Sequence, residues 1–296
     1  MVEATSSSSL AESVEESGNR LVGEVPAMVN SKIVFKGKGN ILYCEEGVRL
    51  SGSRIVFNGD DSLVYLRRSK DALMLGIDMY NANVFVMGSD CYTNGVFHAI
   101  LSEGRHVFVG DHALLSFGIW VRTADPHLVY DVKTHRRINP SRHVFIGDHV
   151  WIGQSAFILK GTIIGSGSIV GAASVVAGKR IPSNASWGGN PARPIRNGVF
   201  WNGSCVHAWG PKQTKARAVD SGKGSIFKND PNEVVDVTGF LAELDELDMA
   251  AARLAYLKEH FERHPGGNRY FIPVEGEEEG GKASGSVKKS LFGRRK

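Results

Sequence analysis

The 296-residue sequence predicts an all-β fold, a coiled β-solenoid carrying a helical C-terminal extension. Ile146, Ile152, Ile158, Ile164, Val170 and Val176 recur at a spacing of six, and Gly147, Gly153, Gly165 and Gly171 directly follow four of them. From about 31 to 181 the chain consists of short β-branched runs broken by glycine, asparagine and aspartate, with no helical period. Glycine is abundant, with 35 residues, about 12% where roughly 7% is usual, and proline is not enriched, which implies many tight turns.

A six-residue period fits neither a free helix nor a hairpin. It fits a solenoid in which each hexapeptide is one short strand and one turn. The aliphatic residue points inward and stacks on its equivalent in the next coil. The residue two places earlier (Val144, Val150, Ala156, Thr162, Ser168, Ser174) is mostly small and fits a crowded inner corner. Upstream, Val109, Leu115 and Val121 keep the spacing, and Ile33 to Phe57 and Val84 to Val96 are expected to be degenerate first coils with bulges and insertions. From Val121 to Ile146 the step is 25 residues, so about nineteen leave the solenoid and return. A loop of that length in a regular solenoid marks function or disorder.

The elements then follow in order. Residues 1–30 are expected to be a flexible segment, because four consecutive serines and scattered glutamates bury too little surface to fold. Residues 31–198 form the solenoid, with the excursion at about 122–143. Residues 199–272 are an extension. In it Phe240, Leu244, Leu247, Ala251, Leu254 and Phe261 recur every three or four residues and predict a helix over about 239–263, capped by Asp236 or Thr238 and closed by Pro265-Gly266-Gly267. Residues 273–296 read as a flexible basic tail.

Composition excludes several classes. No run of about 18 apolar residues exists, so no transmembrane segment is expected, and the N-terminus has no apolar core of a secretory signal. Three widely spaced cysteines (Cys44, Cys91, Cys205) predict reduced thiols and a cytoplasmic setting. The net charge of +4 comes without a dense basic stripe in the core region, so nucleic acid is not an expected partner.

The stretches Ile146-Gly147-Asp148-His149-Val150-Trp151-Ile152-Gly153, Ile164-Gly165-Ser166-Gly167-Ser168-Ile169-Val170-Gly171-Ala172 and Gly189-Asn190-Pro191-Ala192-Arg193-Pro194-Ile195-Arg196 resemble the hexapeptide-repeat acyltransferases, most closely the sugar and polysaccharide O-acetyltransferases. The resemblance is strong from about 105 to 196, weak before and absent after about 200. It implies a left-handed parallel β-helix, a homotrimer with active sites between subunits, acetyl-CoA as acyl donor, no metal, and a sugar or glycan acceptor.

The family's catalytic histidine sits on an extended loop. The matching residue is His127, in Asp125-Pro126-His127, with proline where the family often has glycine. Imidazole suits this chemistry. A hydroxyl needs a base as it attacks the thioester, and a group with a pKa near 6.5 can take that proton and return it to the leaving thiolate. Glu103, Asp125 and Asp131 are candidates to hold the other ring nitrogen. For acetyl-CoA the resemblance points to Trp151 beside the pantetheine arm, Gln154 and Ala172 through main-chain groups, Arg193 and Arg196 at the phosphates or adenine, and Lys179 one position late for a family lysine. Asn94 lies near the family's acceptor-binding amide. His149, in a repeat turn, is read as structural.

Other readings share the scaffold. An amino-sugar or antibiotic acetyltransferase differs only in the acceptor. A γ-type carbonic anhydrase needs three histidines converging on a metal, and no histidine here falls at regular coil spacing. A non-catalytic trimeric scaffold would keep the repeat but could dispense with His127 and the Gly-Asn-Pro-Ala ending.

Overall fold

A computed structural model describes residues 1–15 and 17–276. The expected tail from 277 onward lies outside the described residues. The chain winds as a solenoid of stacked parallel strands, about seven coils, each contributing a strand to up to three faces. The first face runs from Arg20–Gly23 through Ile41–Cys44, Leu63–Leu66, Val84–Met87, Val107–Val109, Val144–Ile146 and Ile163–Ile164 to Arg180–Ile181. The second begins as the strand pair Ala27–Val29 and Arg49–Ser51. It resumes with Tyr92–Thr93, Leu114–Leu115, Trp151–Ile152, Ile169–Val170 and Ala185–Gly188. The third runs from Lys32–Phe35 through Arg54–Phe57, Leu75–Met79, Phe97–Leu101, Trp120–Arg122 and Phe157–Leu159 to Val175–Ala177.

The hexapeptide aliphatics do what their spacing requires. Ile146, Ile152, Ile158, Ile164, Val170 and Val176 are fully buried, as are the small residues two places before them. Ile158 sits directly over Val176, so one coil takes 18 residues there. The N-terminal coils are longer: Ile33, Ile55, Ile77, Ala99 and Val121 stack in register, 22 residues apart. They are therefore regular coils of a second length, and the expectation of degenerate hexapeptides with insertions is corrected to that extent. The extra residues go into wider turns such as Gly37 to Asn40, where the buried Asn40 amide donates to Asn19 Oδ1 (3.0 Å) and the Gly59 carbonyl (2.9 Å).

The N-terminal segment is also corrected. Val2–Ala4 pairs antiparallel with Lys32–Phe35, and helix α1 (Ser7–Glu15) follows it. Ala4, Leu10 and Val14 are buried in the solenoid core. An open solenoid end exposes apolar side chains and unpaired strand edges. Leu10 and Val14, one helical turn apart, supply the cover that the serine-rich composition concealed.

After the solenoid a short helix, α2 (Pro211–Ala216), leads to α3 (Val237–Asp245) and α4 (Ala250–Arg263). The single helix expected over 239–263 is thus two, broken at 246–249. Asp236 caps α3 by accepting from the Thr238 N–H at 3.0 Å. Both helices bury their apolar stripes on the first face: Phe240, Leu241, Leu244, Leu257 and Phe261 join Tyr65, Val86, Phe108 and Phe145 in a second core. Arg269, fully buried, ties the extension down. Its guanidinium donates to Asp148 Oδ1 and Oδ2 (both 2.8 Å) and to Asp111 Oδ2 (2.7 Å), carboxylates of two successive coils. No helix among the described residues is long and apolar enough to cross a membrane.

Because Leu10 closes the core, Leu10→Ala should cost about 2–5 kcal/mol in denaturant unfolding. A free tail would tolerate the change within about 0.5 kcal/mol.

Candidate active site

The turn joining the third face to the first is short in most coils. After Trp120–Arg122 it becomes the long excursion. Val121 to the residue beneath it, Ile158, spans 37 residues, against 18 from Ile158 to Val176, so 19 residues leave the solenoid. They form a hairpin. Tyr130 bridges Arg137, the Ile138 N–H donates to the Val129 carbonyl (2.9 Å), and Asp131 Oδ1 closes the tip by accepting from the Lys133 and Thr134 N–H groups (3.1 and 2.7 Å).

His127 lies exposed on the outgoing leg. Buried Asn139 on the returning leg fixes it. The Asn139 amide donates to the His127 carbonyl (2.8 Å) and Asp125 Oδ2 (3.1 Å), while its Oδ1 accepts from the Val129 N–H (2.9 Å). Lys160, in the coil below, donates to Asp125 Oδ2 (2.6 Å) and to the Asn139 carbonyl (3.1 Å). Glu103, in the coil above, takes both nitrogens of Arg137 (2.7 and 2.9 Å) and the Ser141 hydroxyl.

The expected carboxylate partner of the imidazole is not found in this chain. Among the described residues nothing is hydrogen-bonded to the His127 ring. Glu103, Asp125 and Asp131 are each taken by nearer donors and brace the loop instead. Hydrogen bonds from Arg137 and Ser141 hold the Glu103 carboxyl down at about 2, and the Lys160 ammonium lowers that of Asp125. Asn139, Lys160, Arg137 and Ser141 were missed in the sequence. For Lys160 a signal existed: the six-residue register places Leu159 beneath Arg122, and hence Lys160 beneath the root of the loop.

The remaining candidates divide between places. Lys179 follows the last third-face strand and shares the loop's corner with Glu103, Asp125 and Lys160. Asn94, Gln154 and Ala172 lie on another corner, between the second and third faces. There the Asn94 N–H donates to the Leu115 carbonyl, and the Ala173 N–H to the Gln154 carbonyl, both at 2.8 Å. This corner is closely stacked: a Cβ on Gly153 would stand 2.5 Å from the Ala172 nitrogen. Trp151 is exposed on the outer side of the second face, its ring 6.1 Å from that of Trp201. Arg193 and Arg196 extend that face on an antiparallel strand, Arg193–Asn197, exposed and without an ion pair among the described residues. His149 is structural as expected, stacked on Trp201 at 3.9 Å. Within one chain the structure therefore assembles the loop and the Gln154–Ala172 corner separately.

One polar cluster was not legible. His106, His143 and Asp245 converge, with Nε2 of His106 3.2 Å from Oδ1 and Nε2 of His143 3.0 Å from Oδ2. Each Nδ1 accepts a backbone N–H, from Val84 (3.2 Å) and His106 (3.0 Å) respectively. That leaves the ring protons on the two Nε2 atoms, facing the carboxylate, so no lone pair there is free for a metal. Burial pushes His106 down to about 4 and lowers His143. Burial alone would raise Asp245, but the facing histidines and Arg105 outweigh it and hold it at about 2.

Residues 143–178 match the family described as Bacterial transferase hexapeptide (six repeats). The polysialic acid O-acetyltransferase of Neisseria meningitidis is 24% identical over 122 residues, 41% of this chain and 56% of that protein. Its counterpart from Escherichia coli O1:K1 / APEC is 33% identical over 109 residues, 37% of this chain and 35% of that protein. The aligned stretches thus span about half or less of these relatives. Among solved structures, the polySia specific acetyltransferase NeuO superposes with a TM-score of 0.56 at 25% identity, over 68% of this chain and 94% of that one. The polysialic acid O-acetyltransferase OatWY superposes with a TM-score of 0.51 at 19% identity, over 68% and 98%, which is a likeness of fold. The chain is a hexapeptide-repeat β-helix protein, and its relatives are polysialic acid O-acetyltransferases.

Because the native His106 value lies below the usual one of about 6.5, the unfolded chain binds the extra proton as pH falls. Its stabilising share is full above about pH 6.5 and is lost toward about pH 4. Thermal unfolding between pH 7 and pH 4 should show that decline, and His106→Gln should make it shallower.

Proposed function

We propose that the chain is an acetyl-CoA-dependent O-acetyltransferase acting on a hydroxyl of a sugar or glycan, with His127 as general base. The observation that carries this reading is the loop. A solenoid otherwise built of regular coils departs from its register once, and there it holds an exposed histidine whose carbonyl is pinned by a buried asparagine. The relatives support the reaction class, and their names put polysialic acid first among acceptors to try.

In this reading the His127 imidazole takes the proton of the acceptor hydroxyl as the oxygen attacks the thioester carbon. The carbon–sulfur bond breaks, the thiolate receives the proton, and no covalent enzyme intermediate forms. The donor lies along the Gln154–Ala172 corner. Gly153 and small side chains leave room for a narrow pantetheine arm there, Trp151 flanks it, and Arg193 and Arg196 fork onto phosphate oxygens. Asn94, on the same corner, serves the acceptor.

The separation of the two corners fits a homotrimer in which the loop corner of one copy faces the Gln154 corner of the next. His127 and Lys179 then come from one subunit, and Trp151, Gln154, Ala172, Arg193 and Arg196 from its neighbour. The hairpin suits such a contact: Leu128, Val129, Tyr130, Val132 and Ile138 are all exposed, Val132 by 86%. Isolated apolar residues on a surface are ordinary, but five on one hairpin call for a partner. The expected cytoplasmic setting belongs with this proposal.

The test is thiol release from acetyl-CoA with polysialic acid, maltose, galactosides, nucleotide sugars and chloramphenicol as acceptors. Wild type should turn over with a glycan, and His127→Ala should lose at least about 100-fold in kcat/KM without a matching loss of melting temperature. A variant as active as wild type removes His127 from the mechanism. Absence of turnover with every acceptor, together with no thermal stabilisation by acetyl-CoA, removes the transferase reading.

A further inference from the structure

Helix α3 ends at Asp245, 102 residues beyond His143 in the chain, yet the two side chains meet. His143 is where the excursion rejoins the solenoid, one residue before the strand Val144–Ile146. Arg105 also donates to Asp245 Oδ2, and His106 faces Oδ1. Arg105 and His106 belong to the same turn as Glu103, whose carboxylate grips Arg137 and Ser141 on the returning leg. The two legs are joined at the root, where the Arg142 N–H donates to the Thr123 carbonyl at 2.9 Å. Asp245 is therefore in contact with the base of the loop that presents His127, and it is itself anchored elsewhere: Val237, Phe240, Leu241 and Leu244 seat α3 on the first face.

We propose that Asp245 is a positioning residue for the reaction. Through His143 and Arg105 it fixes the returning root of the loop, so the C-terminal extension sets where His127 stands. The inference rests on the reading of this loop as the catalytic one. Its chemistry requires a carboxylate. Two imidazole N–H groups and a guanidinium converge on Asp245, all of them donors, and only an ionised carboxylate offers acceptors alone. An asparagine keeps one acceptor oxygen and turns an NH2 toward the other donors. A cavity of about 310 Å³ beside the cluster, lined by Ser141, Arg142, His143, Gly161, Thr238 and Leu241, gives the root space to shift when the grip is released.

The experiment compares full-length wild type, Asp245→Asn, Asp245→Glu and Glu243→Gln. The last removes an exposed carboxylate from the same helix, away from the loop. Two readouts are taken: acetyl-transfer kinetics with acetyl-CoA and a glycan acceptor, and amide hydrogen exchange across 123–143. Asp245→Asn is expected to lower kcat about tenfold or more while KM for acetyl-CoA stays within about twofold. Its loop amides should exchange faster, and the buried first-face strands should keep wild-type protection. Asp245→Glu should recover part of kcat, and Glu243→Gln should match wild type. The proposal is overturned if Asp245→Asn leaves loop exchange unchanged, or if loop and core exchange rise together as in plain destabilisation. If wild type transfers no acetyl group, the proposed activity fails, and the exchange comparison still decides whether Asp245 holds the loop.

Discussion

Everything in this molecule depends on coil stacking at strand spacing. Each coil must lay its aliphatic residue on the one below and its turn on the turn below. The tolerance is small: at Gly153 a single added carbon would collide with the next coil's backbone. Such packing leaves no freedom for improvisation inside the solenoid. Variation is confined to the corners, where a turn can lengthen without disturbing the stack, and to the outer faces, where alternate side chains point away from the core. The long loop and the C-terminal extension occupy those two permitted places.

The same constraint explains why the candidate residues are divided. A solenoid keeps equivalent positions in columns, so residues from different corners stay apart however far the chain winds. Asn94, Gln154 and Ala172 fall in one column, and Glu103, Lys160 and Lys179 in another. Chemistry that needs both columns must bring a second copy alongside. The hairpin at 129–138, apolar and outward, is the element with the reach to do so. Its stiffness comes from carboxylates held by fixed cations, Glu103 by Arg137 and Asp125 by Lys160, so the loop stands as a brace and not as a lid.

The sequence was most legible where physical requirements repeat. Six buried aliphatics at equal spacing leave one plausible architecture, and the break in that spacing locates the loop to within a residue or two. The 22-residue coils were harder, because their period is long and their fillers, Ile33, Ile55, Ile77 and Ala99, differ in size. The cap helix was hidden by composition: two apolar residues among serines and glutamates suffice to seal a narrow end. Within the site, His127 could be named from its surroundings, whereas its supports could not. Asn139 acts through backbone groups, and Asp245 reaches the loop from a separate element. Contacts between elements far apart in sequence leave no periodic trace.

Arg269 has a consequence for how the protein is made. It lies 121 residues after Asp148 and 158 after Asp111, and it alone among the described residues places a fully buried cation between those two carboxylates. Synthesis proceeds from the N-terminus, so the coils that carry both aspartates leave the ribosome well before their counter-charge does. Until then the nascent solenoid holds two acidic groups at a seam that is to become dry, shared only with Arg67 on the Asp111 side. The seam cannot close in its final form before translation is nearly over. A chain released early would retain its stacked coils and an unsealed acidic edge, a signature by which quality control could tell a truncated product from a finished one.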